Sequence, residues 1–126
     1  MHVLLSLIMS FFPLSNEMEQ FTGKRHLLIF GQPQSQMVLK QLALLKKDAA
    51  GVEERDIIIT LVVKENPIYK KYKVEASKPL TVILVGKDGG VKHRTHNVIT
   101  AQQLFVLVDA MPMRQAEMRN AKKPRQ

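Results

Sequence analysis

The chain has 126 residues, with 19 Lys+Arg against 11 Asp+Glu, four His, and neither Cys nor Trp. That length suits one domain with a small core, and 45% apolar with 24% charged residues marks a globular chain rather than a disordered one. The lack of cysteine excludes disulfides, thiolate nucleophiles, CxxC couples and Cys-ligated metal centres, while the net charge of +8 biases the chain toward anionic partners without naming one.

Residues Val3 to Leu14, VLLSLIMSFFPL, carry no charge. The run is too short for a spanning helix, which needs about 20 apolar residues, but it fits the apolar region of a secretory signal peptide. No Lys or Arg precedes it, and Pro13-Leu14-Ser15-Asn16 is a poor cleavage site. The competing reading is an apolar helix packed on the domain. Nothing in the run is amphipathic, so the expectation is a signal peptide or apolar segment over 1–20, a domain over 21–118 and a basic tail over 119–126. The chain is expected to be secreted or periplasmic, with no transmembrane span.

His26-Leu27-Leu28-Ile29-Phe30, closed by Gly31, is a continuous apolar run that suits a strand buried on both faces. Gln32 to Gln36 form a turn, with Ser35 as a helix N-cap. Met37 to Ala50 read as a helix whose stripe is Val38, Leu42 and Leu45 joined by Leu39, ended by Gly51. Asp56 to Val63 are rich in β-branched residues without alternation, which predicts a central buried strand. Asn66-Pro67 open a short helix over Ile68 to Val74 with a basic face, broken at Ser77-Lys78-Pro79.

Leu80 to Val85 are a third strand, and Gly86-Lys87-Asp88-Gly89-Gly90 a tight turn in which Asp88 shapes the backbone. Val91 to Arg94 pair back as an edge strand with Lys92 and Arg94 on one face. Thr100 and Gln103 form a capping box opening a helix over Ala101 to Met111. Pro112 interrupts it, and Met113 to Ala121 resume as an exposed basic helix. The order β-α-β-α-β-β-α is that of an α/β, thioredoxin-like fold with a central mixed sheet and flanking helices.

Leu84 to Lys92 (LVGKDGGVK) and Leu107 to Met118 (LVDAMPMRQAEM), together with Arg25 to Phe30 and Glu54-Arg55-Asp56, resemble a domain of unknown function. It is found in small bacterial secreted proteins, in animal sushi-repeat-containing matrix proteins and in the matrix protein "down-regulated by oncogenes". The resemblance spans about Phe21 to Met118. It implies a thioredoxin- or peroxiredoxin-like domain, generally outside the cytoplasm, associated in the animal proteins with matrix organisation and adhesion.

In such a fold the reactive cysteine would lie in the loop after the first buried strand, where the helix N-terminus lowers its pKa. Here Gln34, Ser35 and Gln36 occupy that place, and no His in the loop activates the serine. Pro79 lies near the position of the fold's cis-proline, with either isomer open. His93 and His96 lack a third ligand for a metal site. Gly86 to Gly90 lack the full motif of a phosphate loop and lead into a strand rather than a helix. Asp109 and Arg114 can pair across the break at Pro112.

Lys87, Lys92, Arg94 and Arg114 are the candidate basic surface, within a chain segment 70–94 where Lys70, Lys71, Lys73 and Lys78 oppose few acids. Nucleic acid is disfavoured because Tyr69 and Tyr72 are the sole candidates to stack bases. The sequence therefore points to a non-catalytic binding module for an anionic polymer or protein partner, with no cofactor, no metal and no catalytic residue. The alternative is an enzyme using the thioredoxin-like pocket without thiol chemistry, with Ser35, Arg55, Lys87 and Asp109 as participants.

Overall fold

A computed structural model of the chain describes residues 23–122. The strands are β1 (Arg25–Phe30), β2 (Ile57–Val62), β3 (Thr81–Val85) and β4 (Val91–Thr95). The helices are α1 (Gln36–Lys46), α2 (Ala49–Glu54), α3 (Ile68–Lys71), α4 (Ala101–Asp109) and α5 (Pro112–Lys122). The proposed leader over 1–20 lies outside the described residues. No helix among the described residues is long and apolar enough to cross a membrane.

The four strands form one mixed sheet in the order β2-β1-β3-β4. β1 runs parallel to β2 and antiparallel to β3, and β3 pairs antiparallel with β4. Hydrophobic burial explains this order. Every residue of β1 and β3 is buried, as unbroken apolar runs require when both faces of a strand are covered. Leu27, Ile29, Val82 and Leu84 face a core built with Val38, Leu45, Val52, Leu104 and Val108. Leu28, Phe30, Ile83 and Val85 face a thinner core with Val62, Ile68 and Tyr69. Tyr69 and Tyr72 meet the Phe30 ring edge-on at 5.0 and 6.4 Å, so both proposed base-stacking rings are packed against the sheet instead.

Several expectations need correcting. β2 is not central: among the described residues it lies at the sheet edge, and Ile58 is 40% exposed. Its apolar run satisfies one partner strand and the helices α1 and α2, not two strands. Gly51 does not end the first helix, which stops at Lys46; Gly51 lies inside α2. A Cβ there would lie 2.7 Å from the Phe105 ring, so glycine serves close packing rather than a cap. The α1 stripe is Val38, Gln41 and Leu45, whereas Leu39 is exposed. The short third helix stops at Lys71, before Val74. The first residues of the expected basic tail, 119–122, continue α5 as exposed helix.

Gln41 shows why a polar residue holds that stripe. Its Nε2 donates to the Ile99 carbonyl at 2.8 Å, and its Oε1 accepts from the Ile99 amide at 2.8 Å. Both groups of Ile99 are thereby satisfied inside the core, just ahead of α4. The Thr100–Gln103 capping box then starts that helix. Replacing Gln41 by Leu strands two buried backbone groups. It should cost about 2–4 kcal/mol, read as a lower urea midpoint at unchanged slope.

Candidate functional site

The two ends of the sheet differ in chemistry. At the end where β1 finishes, Gly31 passes so close to Pro79 that a Cβ would lie 2.9 Å from the Pro79 carbonyl oxygen and 2.6 Å from Val38. Ser35 occupies the N-cap position of α1, but its side chain makes no capping hydrogen bond. Gln34 and Gln36 are exposed. Every peptide bond among the described residues is trans, that before Pro79 included. His96 Nδ1 lies 3.0 Å from Thr81 Oγ1 and 3.4 Å from the Leu80 carbonyl, fastening the loop after β4 to the start of β3. Among the described residues no group of His, Asp or Glu side chains could hold a metal ion.

The opposite end, where β1 begins, gathers charge. Strand register puts Arg25 beside Ile57 and His26 beside Val85. The start of β2, the start of β1 and the end of β3 therefore share one edge of the sheet. This brings together Glu54-Arg55-Asp56, Arg25 and Gly86-Lys87. The break at Ala110-Met111 then turns α5 back over the same edge, with Pro112 as its first residue, a position that needs no amide donor.

Arg25 is the innermost charge, its side chain 1% exposed. It forms a bidentate pair with Glu117 at 3.1 and 3.2 Å and donates to the Arg55 carbonyl at 2.8 Å. Its Nε has no hydrogen-bond partner. Lys87 Nζ bridges Glu117 at 2.7 Å and Asp56 at 2.8 Å. Asp56 takes a left-handed backbone conformation with φ of 53°, and its carbonyl accepts from the Arg25 amide.

A second hub adjoins the first. Arg55 holds Asp109 through two bonds of 2.9 and 3.0 Å and donates to the Gly51 carbonyl. Its guanidinium lies 3.9 Å above the Phe105 ring. Arg114 donates to Asp109 at 3.0 Å and to Glu54 at 2.8 Å. It also lies 3.8 Å from Glu117, which links the two hubs. A cleft of about 260 Å³ opens beside them, lined by Arg25, Lys87, Lys92 and Met111 to Met113.

The titrations follow from these contacts. The Lys87 hydrogen bond holds Asp56 below the ordinary carboxylate range, and Arg55, followed by Arg114, does the same for Asp109. Burial pushes Glu117 upward, but hydrogen bonds from Arg25 and Lys87 outweigh it and the net shift is down. Burial likewise opposes the charge on Lys87 and on Arg114. Their acidic partners prevail, and both are raised.

Two members of the expected basic surface are thus internal. The side chains of Lys87 and Arg114 are 13% and 6% exposed and bound to carboxylates, so neither is available to an external anion. The helix carrying Arg114 is correspondingly not a free basic helix: it is docked by Arg114 and Glu117. Asp109 and Arg114 do pair, within a larger set than a surface pair. Lys92 and Arg94 stay outside. β3 and β4 slip register so that Lys92 is a bulge residue facing no β3 partner, and it binds Asp88 at 2.8 Å. Asp88 also caps the Gly90 amide, and Gly89 supplies the positive φ of the turn. Arg94 donates to the Tyr72 carbonyl.

The enzyme alternative loses its constellation. Arg55, Lys87 and Asp109 lie at the start of β1, whereas Ser35 follows its end, about 17–20 Å away along a six-residue strand. Of these three, Arg55 and Asp109 are bound to each other, and Lys87 is held by Asp56 and Glu117. Sequence reasoning did not single out Arg25, Glu54, Asp56 or Glu117 as site residues. The available signal was a charge opening an apolar strand, and a charge in each of the motifs that carry the resemblance.

The strand order, the flanking helices and the structural neighbours define a thioredoxin-like fold, here built without cysteine. A reduced 2-Cys peroxiredoxin from Plasmodium vivax superposes with a TM-score of 0.61 at 17% identity, covering 81% of this chain and 72% of that one. Trxlp from Edwardsiella tarda superposes with a TM-score of 0.57 at 17% identity, covering 78% and 94%. At such identities the likeness concerns the fold alone. The chain belongs to the family described as Domain of unknown function (DUF4174), which matches residues 17–117. It is also 28% identical over 120 residues to the rat sushi repeat-containing protein SRPX, a match covering 80% of this chain and 26% of that relative.

Removing one carboxylate from the network leaves buried cations short of a partner. Glu117→Gln should cost about 2–4 kcal/mol in denaturant unfolding, less than a fully buried pair because Glu117 is partly exposed. The lowered carboxylates also fix a pH response. Their contribution is complete above the ordinary carboxylate range, about pH 4–4.5, and is lost as pH falls through their depressed folded values. Stability measured from pH 7 downward should drop steeply below that range in the native chain and less steeply in Glu117→Gln.

Proposed function

We propose that the domain is a non-catalytic binding module acting outside the cytoplasm, and that it takes an anionic polymer or protein on the face formed by α3 and β4. The observation that carries this reading is the Arg94–Tyr72 bond. It ties the edge strand bearing Lys92 and Arg94 to the segment bearing Lys70, Lys71 and Lys73, all of them exposed at their surface positions. Glu65 and Glu75 are the nearest acids in sequence, so the segment keeps a net positive charge. A cationic patch of this kind attracts polyanions at long range and loses them with salt.

The missing cysteine removes thiol chemistry from the fold's reactive loop. The apolar run Val3–Leu14 and the likeness to a sushi repeat-containing protein support an extracellular setting. The four charged residues of the original surface divide accordingly: Lys92 and Arg94 remain binding residues, and Lys87 and Arg114 hold the fold. Gln34, Ser35, Gln36 and Pro79 take the place of the redox loop without a role in binding. Gly86, Gly89, Gly90, Asp88, Asp109 and Pro112 are structural.

Retention on heparin tests this. The triple variant Lys70→Glu, Lys71→Glu, Arg94→Glu should elute at markedly lower salt. The variant Lys40→Glu, Lys46→Glu, Lys47→Glu makes the same charge change on and beside α1 and should elute close to the native chain. Equal losses in both would reduce the effect to net charge and refute the assigned face.

A further inference from the structure

α5 is held to the domain almost without apolar contact. Arg114 is its one buried residue, and none of its apolar side chains belongs to either core. Met113, in its first turn, is 51% exposed. Docking rests on Arg114 and Glu117, which reach Glu54, Asp109, Arg25 and Lys87. Lifting the helix uncovers little apolar surface, so hydrophobic burial opposes it weakly. The docked state also carries a defect: Arg25 Nε is buried without a partner, and water satisfies it once the helix moves. An 11-residue helix is marginal in water by itself, so release and unwinding go together. Segments of this kind open at a lower free energy than the whole domain.

What α5 covers is already shaped for a carboxylate. Arg25 grips Glu117 with two nitrogens at 3.1 and 3.2 Å, and Lys87 adds a third donor at 2.7 Å. This is the two-pronged geometry by which arginine recognises a carboxylate. The 260 Å³ cleft lies beside it, lined by Gly86 to Asp88 and by Met111 to Met113. Met111 packs on the core, whereas Pro112 and Met113 belong to α5, so the cleft widens as the helix lifts. Arg25 and Lys87 are then left with Asp56, while Arg55 still matches Asp109. We infer that α5 is an autoinhibitory strap: Glu117 is the internal occupant of a carboxylate site formed by Arg25 and Lys87, and an acidic peptide segment fills that site when the strap opens. The thioether and proline lining suits the side chains that flank a peptide carboxylate better than the hydroxyls of a glycan.

Hydrogen exchange on the native chain tests the strap without any substitution. The α5 amides should exchange at least about tenfold faster than those of β1 and β3; exchange of α5 only together with those strands overturns the inference. Binding of a fluorescent hexaglutamate peptide tests the site, with circular dichroism to confirm that each variant folds. Glu117→Gln should bind the peptide about tenfold more tightly than the native chain, and adding Lys87→Gln should cancel most of that gain. Glu53→Gln makes the same charge change at an exposed position of α2 outside the network, and should give no gain. To separate this site from the α3–β4 face, the Glu117→Gln gain is measured again with Lys70→Glu, Lys71→Glu and Arg94→Glu present, and should persist. A folded Glu117→Gln chain that binds no better than the native one overturns the inference, as does a gain that Glu53→Gln reproduces or that Lys87→Gln leaves intact. A gain on heparin without one on hexaglutamate would make the ligand a sulfated polymer and overturn the peptide assignment.

Discussion

Arg25 is a full charge placed at the head of the innermost strand, and its burial constrains the rest of the domain. A guanidinium out of water needs its charge matched and most of its donors bonded, and at Arg25 the terminal nitrogens are bonded while Nε is not. Glu117 supplies the charge in a bidentate pair and the Arg55 carbonyl takes a further donor. Lysine could offer a point charge there but not the two-pronged geometry. Glu117 lies 92 residues from Arg25 in the chain. The demand of one residue therefore fixes where the last helix must lie.

That demand spreads outward. α5 reads PMRQAEMRNAK, with few apolar residues to hold it on a core. Its docking rests on Arg114 and Glu117, which face Glu54, Asp109, Arg25 and Lys87. Lys87 carries the β3–β4 turn into the same cluster and joins it to Asp56 at the head of β2. Arg55 seats Asp109 while its guanidinium covers Phe105, whose ring in turn excludes any side chain at Gly51. Such networks add little stability over an apolar packing of equal volume; their effect here is to fix register and helix placement. The motifs by which the chain is recognised, scattered from 25 to 118, meet in this one place. The domain has thus kept a thioredoxin-like frame while its distinctive chemistry sits at the end of the sheet away from the fold's reactive loop.

Much of the fold was legible from hydrophobic patterning. Leu27 to Phe30 and Leu80 to Val85 announce buried strands, Thr100 and Gln103 announce a helix start, and Asp88-Gly89 a turn. Patterning failed where the reason was long-range. The run Ile57 to Val62 looks central because a strand's composition records burial of its faces, not the number of its neighbours. Gly51 reads as a helix stop because the Phe105 ring it accommodates is remote in sequence. Lys87 and Arg114 look like surface cations because their acids lie across the fold. Gln41 hides in an apolar stripe, since its partner is the backbone of Ile99 and backbone leaves no trace in composition.

The central claim is that the Arg25–Glu117 and Arg55–Asp109 pairs belong to a single network joined through Arg114. A double-mutant cycle on Glu117→Gln and Asp109→Asn, followed by urea unfolding, tests it most directly. These two carboxylates share no hydrogen bond with each other, so coupling between them must pass through the intervening cations. The network predicts a coupling free energy of about 0.5–3 kcal/mol, whereas losses that add to within about 0.3–0.5 kcal/mol would show two independent ion pairs and contradict the account.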